Sequence, residues 1–144
     1  MSIPDQVSQD PSEQEPHKIL VVDDDTRFLN LMHDVLLAQG YRVIKAANGA
    51  SGVAQFQDES PDMVFLDLSM PDMNGLQVLE AMQEINPDVK VVVITAYGTV
   101  ELAVAALQQG ACDFVEKLDY STNFQETLFK KVRAVLEGVD EDNM

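Results

Sequence analysis

The 144-residue chain is long enough for one domain with a sizeable core, and its 46% apolar and 24% charged residues are an ordinary globular balance. Its net charge of −16, from 25 acids and nine bases, argues against nucleic acid or an anionic membrane as a direct partner and favours a cation or a basic surface. No apolar run is long enough to span a bilayer, the N-terminus lacks the basic and apolar regions of a secretory signal, and the single cysteine, Cys112, excludes an intrachain disulfide framework and fits a reducing cytoplasm.

Residues 1–16 hold Asp5, Asp10, Glu13 and Glu15 without a base and read as a disordered acidic tail. The segment 137–144 adds Glu137, Asp140, Glu141 and Asp142, again without a base, and residues 138–144 read as a second tail. Between the tails, residues 17–136 still carry nine bases against seventeen acids, a net −8. The domain is expected over residues 17–137.

The first apolar run, residues 18–22 (KILVV), leads directly into Asp23, Asp24 and Asp25. Adjacent carboxylates repel one another and resist burial unless paired or bound to a cation. One of the three could be a helix cap; all three together suggest a cation site. Phe28, Met32, Val35 and Leu36 then form a helical stripe that stops at Gly40. A second run covers 41–45 (YRVIK), followed by a weaker helical pattern over 49–58 with Ala50, Val53 and Ala54 on one face. A third run covers 62–66 (DMVFL). Leu79, Met82 and Ile85 stripe residues 75–85 before Pro87. A fourth covers 90–94 (KVVVI), and Val100, Ala103, Val104 and Leu107 stripe the helix after it, closed by Gly110. The fifth run is 112–115 (CDFV). Phe124, Leu128, Val132, Val135 and Leu136 stripe the last helix, with Asn123 and Glu126 at capping-box spacing.

The central runs are apolar throughout, as in strands covered on both faces. Five strands alternating with five helices imply an α/β fold, a doubly wound parallel sheet with right-handed crossovers. Ligands in such folds sit at the carboxyl ends of the strands. Asp23–Asp25 follow strand one, Asp67 ends strand three, Thr95 ends strand four and Lys117 follows strand five, so these groups converge on one edge. Clustered acids with a lysine and a hydroxyl suit phosphoryl transfer to a carboxylate: a divalent cation neutralises the acids, the ammonium and hydroxyl take up phosphoryl charge, and an aspartate is the nucleophile.

The segments "VVDDD", "FLDLSMPDMNG", "ITAYG" and "DFVEK", in this order and spacing, resemble a response-regulator receiver domain of two-component signalling over about residues 17–137. "ITAYGTVELAVAALQQGACDFVEK" resembles receivers of the nitrogen-regulator class, which usually precede an ATPase and a DNA-binding domain. The chain looks like a stand-alone receiver or the receiver piece of a longer protein, with no output domain expected. The resemblance implies a flavodoxin-like sheet of strand order 2-1-3-4-5 and a cytoplasmic signalling switch that is not an enzyme beyond assisting its own phosphorylation and dephosphorylation. The expected partners are a histidine kinase or phosphotransfer protein and a downstream protein target, with no nucleic acid and no membrane.

It also implies roles. Asp67 would be the phosphoacceptor. Asp24 and Asp67 would hold Mg²⁺ directly with the backbone carbonyl of Ser69, and Asp23 through water. Asp25 would face the N-terminal dipole of the first helix. Lys117 would pair with Asp67 and then with the phosphoryl group. Thr95 would follow that group inward, with Phe114 as the aromatic switch residue. Ala96 would leave the group accessible, and Ser69 and Tyr97 would flank it. The family's usual Lys-Pro is Lys117-Leu118 here; a non-proline cis bond costs about 2.5–4 kcal/mol, so this bond is expected to be trans and its loop mobile. His33 and His17 are expected at the surface and Cys112 as a packing residue. Two alternatives stay open. One is a docking module that works without phosphorylation. The other is an aspartyl-phosphate phosphatase or mutase, which would need an acid where Ser69 stands.

Overall fold

A computed structural model of the chain describes residues 15–72, 74–96, 100–117 and 124–138. Strands and helices alternate as β1 (Lys18–Val22), α1 (Thr26–Ala38), β2 (Arg42–Ala46), α2 (Gly49–Glu59), β3 (Met63–Asp67), α3 (Gly75–Ile85), β4 (Val91–Thr95), α4 (Val100–Gln109), β5 (Asp113–Glu116) and α5 (Phe124–Glu137). All pairings are parallel, in the order β2-β1-β3-β4-β5. This is the expected doubly wound flavodoxin-like sheet. β2 to β5 each lie one residue further on than the apolar runs suggested. The Tyr41 N–H closes α1 on the Leu36 carbonyl, and the Asp62 N–H goes to Lys18.

Every residue of β3 and β4 is buried, as their unbroken apolar runs require. Side chains alternate between two half-cores. Leu20, Val22, Val64, Leu66, Val91 and Val93 face α2, α3 and α4; Ile19, Val21, Met63, Phe65, Val92 and Ile94 face α1 and α5. Fully burying one such side chain stabilises by about 1.5–3 kcal/mol, so the central strands fix the positions of whatever follows them.

Three helix faces depart from the sequence reading. α2 buries Gly49, Gly52 and Phe56 and leaves Ala50 and Ala54 exposed, because its glycines permit a close approach that hydropathy does not register. α3 buries Val78, Leu79 and Met82, while Ile85 in its last turn is exposed. α4 buries only Ala103 and Ala106 and leaves Val100 72%, Val104 47% and Leu107 37% exposed. β5, the last strand of the sheet, has four residues, and among the described residues no further strand covers this outer side.

The expected tails, apart from Glu15, Pro16 and Gly138, lie outside the described residues, as do Tyr97, Leu118 and the Asn123 of the α5 capping box. No described helix is long and apolar enough to cross a membrane.

Candidate functional site

The carboxyl ends of β1, β3, β4 and β5 carry the predicted site residues. Asp23 follows β1, and its N–H is tied to the Ala46 carbonyl of β2 at 3.0 Å. It is fully buried. Its Oδ1 accepts the Asp25 N–H at 2.8 Å and the Lys117 ammonium at 2.8 Å. Its Oδ2 is buried with no hydrogen-bond partner. Asp67, the last residue of β3, is 2% exposed. Its Oδ1 accepts the Ser69 N–H at 2.9 Å, and its Oδ2 lies 3.4 Å from Lys117 Nζ. Asp24 is exposed at the rim, and carboxylate oxygens of Asp23, Asp24 and Asp67 all lie within 4.8 Å of one another.

Asp25 does what its position predicted. It is the N-cap of α1, its Oδ1 accepting the N–H groups of Arg27 at 3.0 Å and Phe28 at 3.4 Å. Its other oxygen is 3.9 Å from Lys117 Nζ. Lys117 thus stands among three carboxylates, with the Phe28 ring centroid 5.3 Å from its ammonium. Phe28 read only as a core residue in the sequence, since nothing local announces the cation above it.

The charges do not balance. Burial raises the pKa of Asp67, the Ser69 N–H lowers it, Asp23 raises it and Lys117 lowers it, and the result is about 7. Burial works against the charge on Lys117, but the bond to Asp23 and the charges of Asp67, Asp23 and Asp25 outweigh it and hold its pKa above the usual lysine value. Asp23, Asp24 and Asp67, with one ammonium beside them and Asp23 Oδ2 unpartnered, form an all-oxygen donor set short of positive charge. That set fits a hard divalent cation.

The outer residues are placed as follows. The loop after β3 begins at Leu68 and doubles back through a bridge between Ser69 and Asn74. A Cβ on Gly75 would lie 2.5 Å from the Leu68 Cα, so only glycine lets α3 start this close to the site. Thr95 is buried, and its hydroxyl donates to the Val115 carbonyl at 3.3 Å rather than to a carboxylate. Phe114 is 38% exposed. It forms one wall of an apolar cavity of about 450 Å³ also lined by Thr95, Ala96, Val104 and Leu107. Across the ring, Lys131 Nζ lies 5.7 Å from the centroid and pairs with Asp113 at 2.9 Å. His33 is half-buried beside Asp34, and Cys112, just before β5, is exposed and not packed as expected.

Comparison with known proteins places this arrangement. The family model described as "Response regulator receiver domain" matches residues 19–129. The chain is 34% identical over 102 residues to the chemotaxis protein CheY of Bacillus subtilis, covering 70% of this chain and 85% of that one. It is 39% identical over 102 residues to the transcriptional regulatory protein GlrR of Escherichia coli, covering 71% of this chain but only 23% of that protein. Among solved structures, a CheY-like response regulator receiver domain protein from Methanospirillum hungatei superposes with a TM-score of 0.77 at 29% identity, covering 89% of this chain and 98% of that one.

Proposed function

This chain belongs to the response regulator receiver domain family and is a phosphoryl-accepting switch of two-component signalling, and from that premise we propose that Asp67 takes its phosphoryl group from a phosphohistidine on a histidine kinase or phosphotransfer protein, with Mg²⁺ bound. The observation that carries the reading is Asp67 itself, buried at the end of the central strand, with Asp23 and Asp24 on one side and the Lys117 ammonium at 3.4 Å.

In the step, an Asp67 carboxylate oxygen attacks phosphorus, the phosphorus–nitrogen bond breaks, and the donor imidazole leaves and regains its proton. The Ser69 N–H orients Asp67 through Oδ1. Lys117, held beside both Asp23 and Asp67, offers the ammonium that pairs with the incoming phosphoryl oxygens. Asp24 and Asp67 would hold Mg²⁺ directly with the Ser69 backbone carbonyl, and Asp23 through water; the ion supplies the positive charge that the site lacks.

Relay then runs through Thr95 and Phe114. The supporting feature is the cavity between them, into which the exposed Phe114 ring can turn when Thr95 is drawn towards the phosphoryl group. The output is contact with another protein in the cytoplasm, with no nucleic acid or membrane bound directly. The chain turns over no separate substrate.

The test is incubation with a small phosphodonor and Mg²⁺. One base-labile phosphoryl group is expected per chain, lost in Asp67→Asn. Labelling of Asp67→Asn at the wild-type rate would overturn the assignment.

A further inference from the structure

Asp72, in the β3–α3 loop, reaches across to the start of α2. Its Oδ1 accepts the Gly49 N–H at 3.1 Å and its Oδ2 the Ala50 N–H at 3.2 Å. These are the first two free donors of the helix. The third, Ser51 N–H, goes to the α2 N-cap Asn48 at 2.8 Å. The first turn of α2 contains no acidic residue of its own, so the negative charge that complements its dipole comes from a loop 22 residues away in sequence.

Both ends of this contact lead to the phosphoacceptor site. The loop is closed at its base by the Ser69–Asn74 bridge, and Ser69 holds Asp67 through its N–H. α2 sits directly on the residue before Asp23: a Cβ on Gly52 would lie 2.9 Å from the Val22 methyl groups. The sheet fixes Val22 and Leu66 as neighbours, but its ladder extends no further than Leu68. Beyond that, Asp72 is the charged tie between the loop carrying Ser69 and the helix seated on β1.

We infer that Asp72 is a positioning residue for the phosphoacceptor site: by clamping the β3–α3 loop to the α2 N-terminus, it holds Ser69 in register with Asp67 and Asp24, where a divalent cation binds. The inference rests on the receiver reading above. It separates two effects that a simple cap would not separate. Asn48 caps the same helix end through the Ser51 N–H and, among the described residues, makes no side-chain hydrogen bond to the loop, so its loss weakens α2 alone. Loss of Asp72 frees the loop as well.

The experiment compares wild type, Asp72→Ala, Asp72→Asn and Asn48→Ala by Mg²⁺ titration calorimetry, thermal melting and amide hydrogen exchange. Asp72→Ala is expected to weaken Mg²⁺ binding about tenfold, the low end of what outer-shell ligand supports contribute. It should also speed exchange at Gly49, Ala50 and Ser69. Asp72→Asn, which keeps one acceptor, should fall between it and wild type and serves if the alanine variant does not fold. Asn48→Ala should melt lower with unchanged Mg²⁺ affinity. If both Asp72 variants bind Mg²⁺ like wild type, or if Asn48→Ala weakens binding as much as they do, Asp72 is only a cap and the inference fails. Wild-type protein that binds no Mg²⁺ would instead overturn the receiver reading and the clamp with it.

Discussion

Lys117 makes its short hydrogen bond to Asp23, at 2.8 Å, and stands further off, at 3.4 Å, from Asp67, the residue that it was expected to pair with. Asp23 is the fully buried carboxylate of the two and has one oxygen without a partner, so it has the larger need for a cation. The ammonium is parked on the neighbour of the phosphoacceptor, within reach of both.

That placement predicts the cost of losing it. Lys117→Met should destabilise the metal-free protein by about 3 kcal/mol or more, because it leaves Asp23 buried and unpaired. The stability gained on adding Mg²⁺ should be larger in the variant than in wild type, since an added cation then relieves a worse imbalance. Urea unfolding with and without Mg²⁺ measures both quantities, and equal gains would show that Lys117 does not compensate these acids.

Asp67 predicts a pH dependence. Its folded pKa of about 7 lies above the ordinary aspartate value of 3.8, so between these values the native state holds a proton that the unfolded chain has released. Stability from this group is therefore full below about pH 4 and falls as pH rises, being lost above about 7. Asp67→Asn should remove this decline and melt higher than wild type at pH 7.5 in chelator. Parallel melting curves from pH 5 to 8 would contradict it.

Mg²⁺ should raise the melting temperature, and chelator should reverse the rise. A native-state ligand at 100 times its dissociation constant adds about 2.7 kcal/mol, enough to shift a domain of this size by several degrees. Asp24→Ala should abolish the response at little cost to the fold, because Asp24 is exposed. A full Mg²⁺ response in Asp24→Ala would remove it from the ligand set.

Phe114 should be cheap for stability and expensive for relay. Its ring is 38% exposed, so Phe114→Ala should cost less than about 1 kcal/mol. Phosphorylation of Asp67 should proceed normally. Amide shifts caused by an acyl-phosphate mimic should reach α4 and α5 in wild type and stay near Asp67 in the variant; identical shift patterns in both would exclude Phe114 as the link.

The layers of the fold and the edge at which its chemistry sits were legible in the patterning of the chain. Short apolar runs that alternate with helical stripes read as strands covered on both faces, and a polar residue directly after such a run stands at a strand end, so Asp23, Asp67 and Thr95 could be brought to one edge from pattern, with Lys117 two residues past the fifth run. These are local consequences of backbone geometry. Tertiary structure decided which groups then touch. Lys117 and Asp23 are 94 residues apart, and a preference of a few tenths of an ångström over Asp67 depends on where two loops end. Nothing in the sequence singles out Asp72; only with α2 set beside it does its carboxylate meet the Gly49 and Ala50 N–H groups. The α4 stripe shows the same limit in the opposite direction. Periodicity marks Val100, Val104 and Leu107 as one apolar face, but burial needs a neighbour to cover it, and among the described residues the sheet ends at β5. Spacing along a chain fixes which side chains share a face; what that face meets is set by contacts between segments whose separation in sequence carries no distance information.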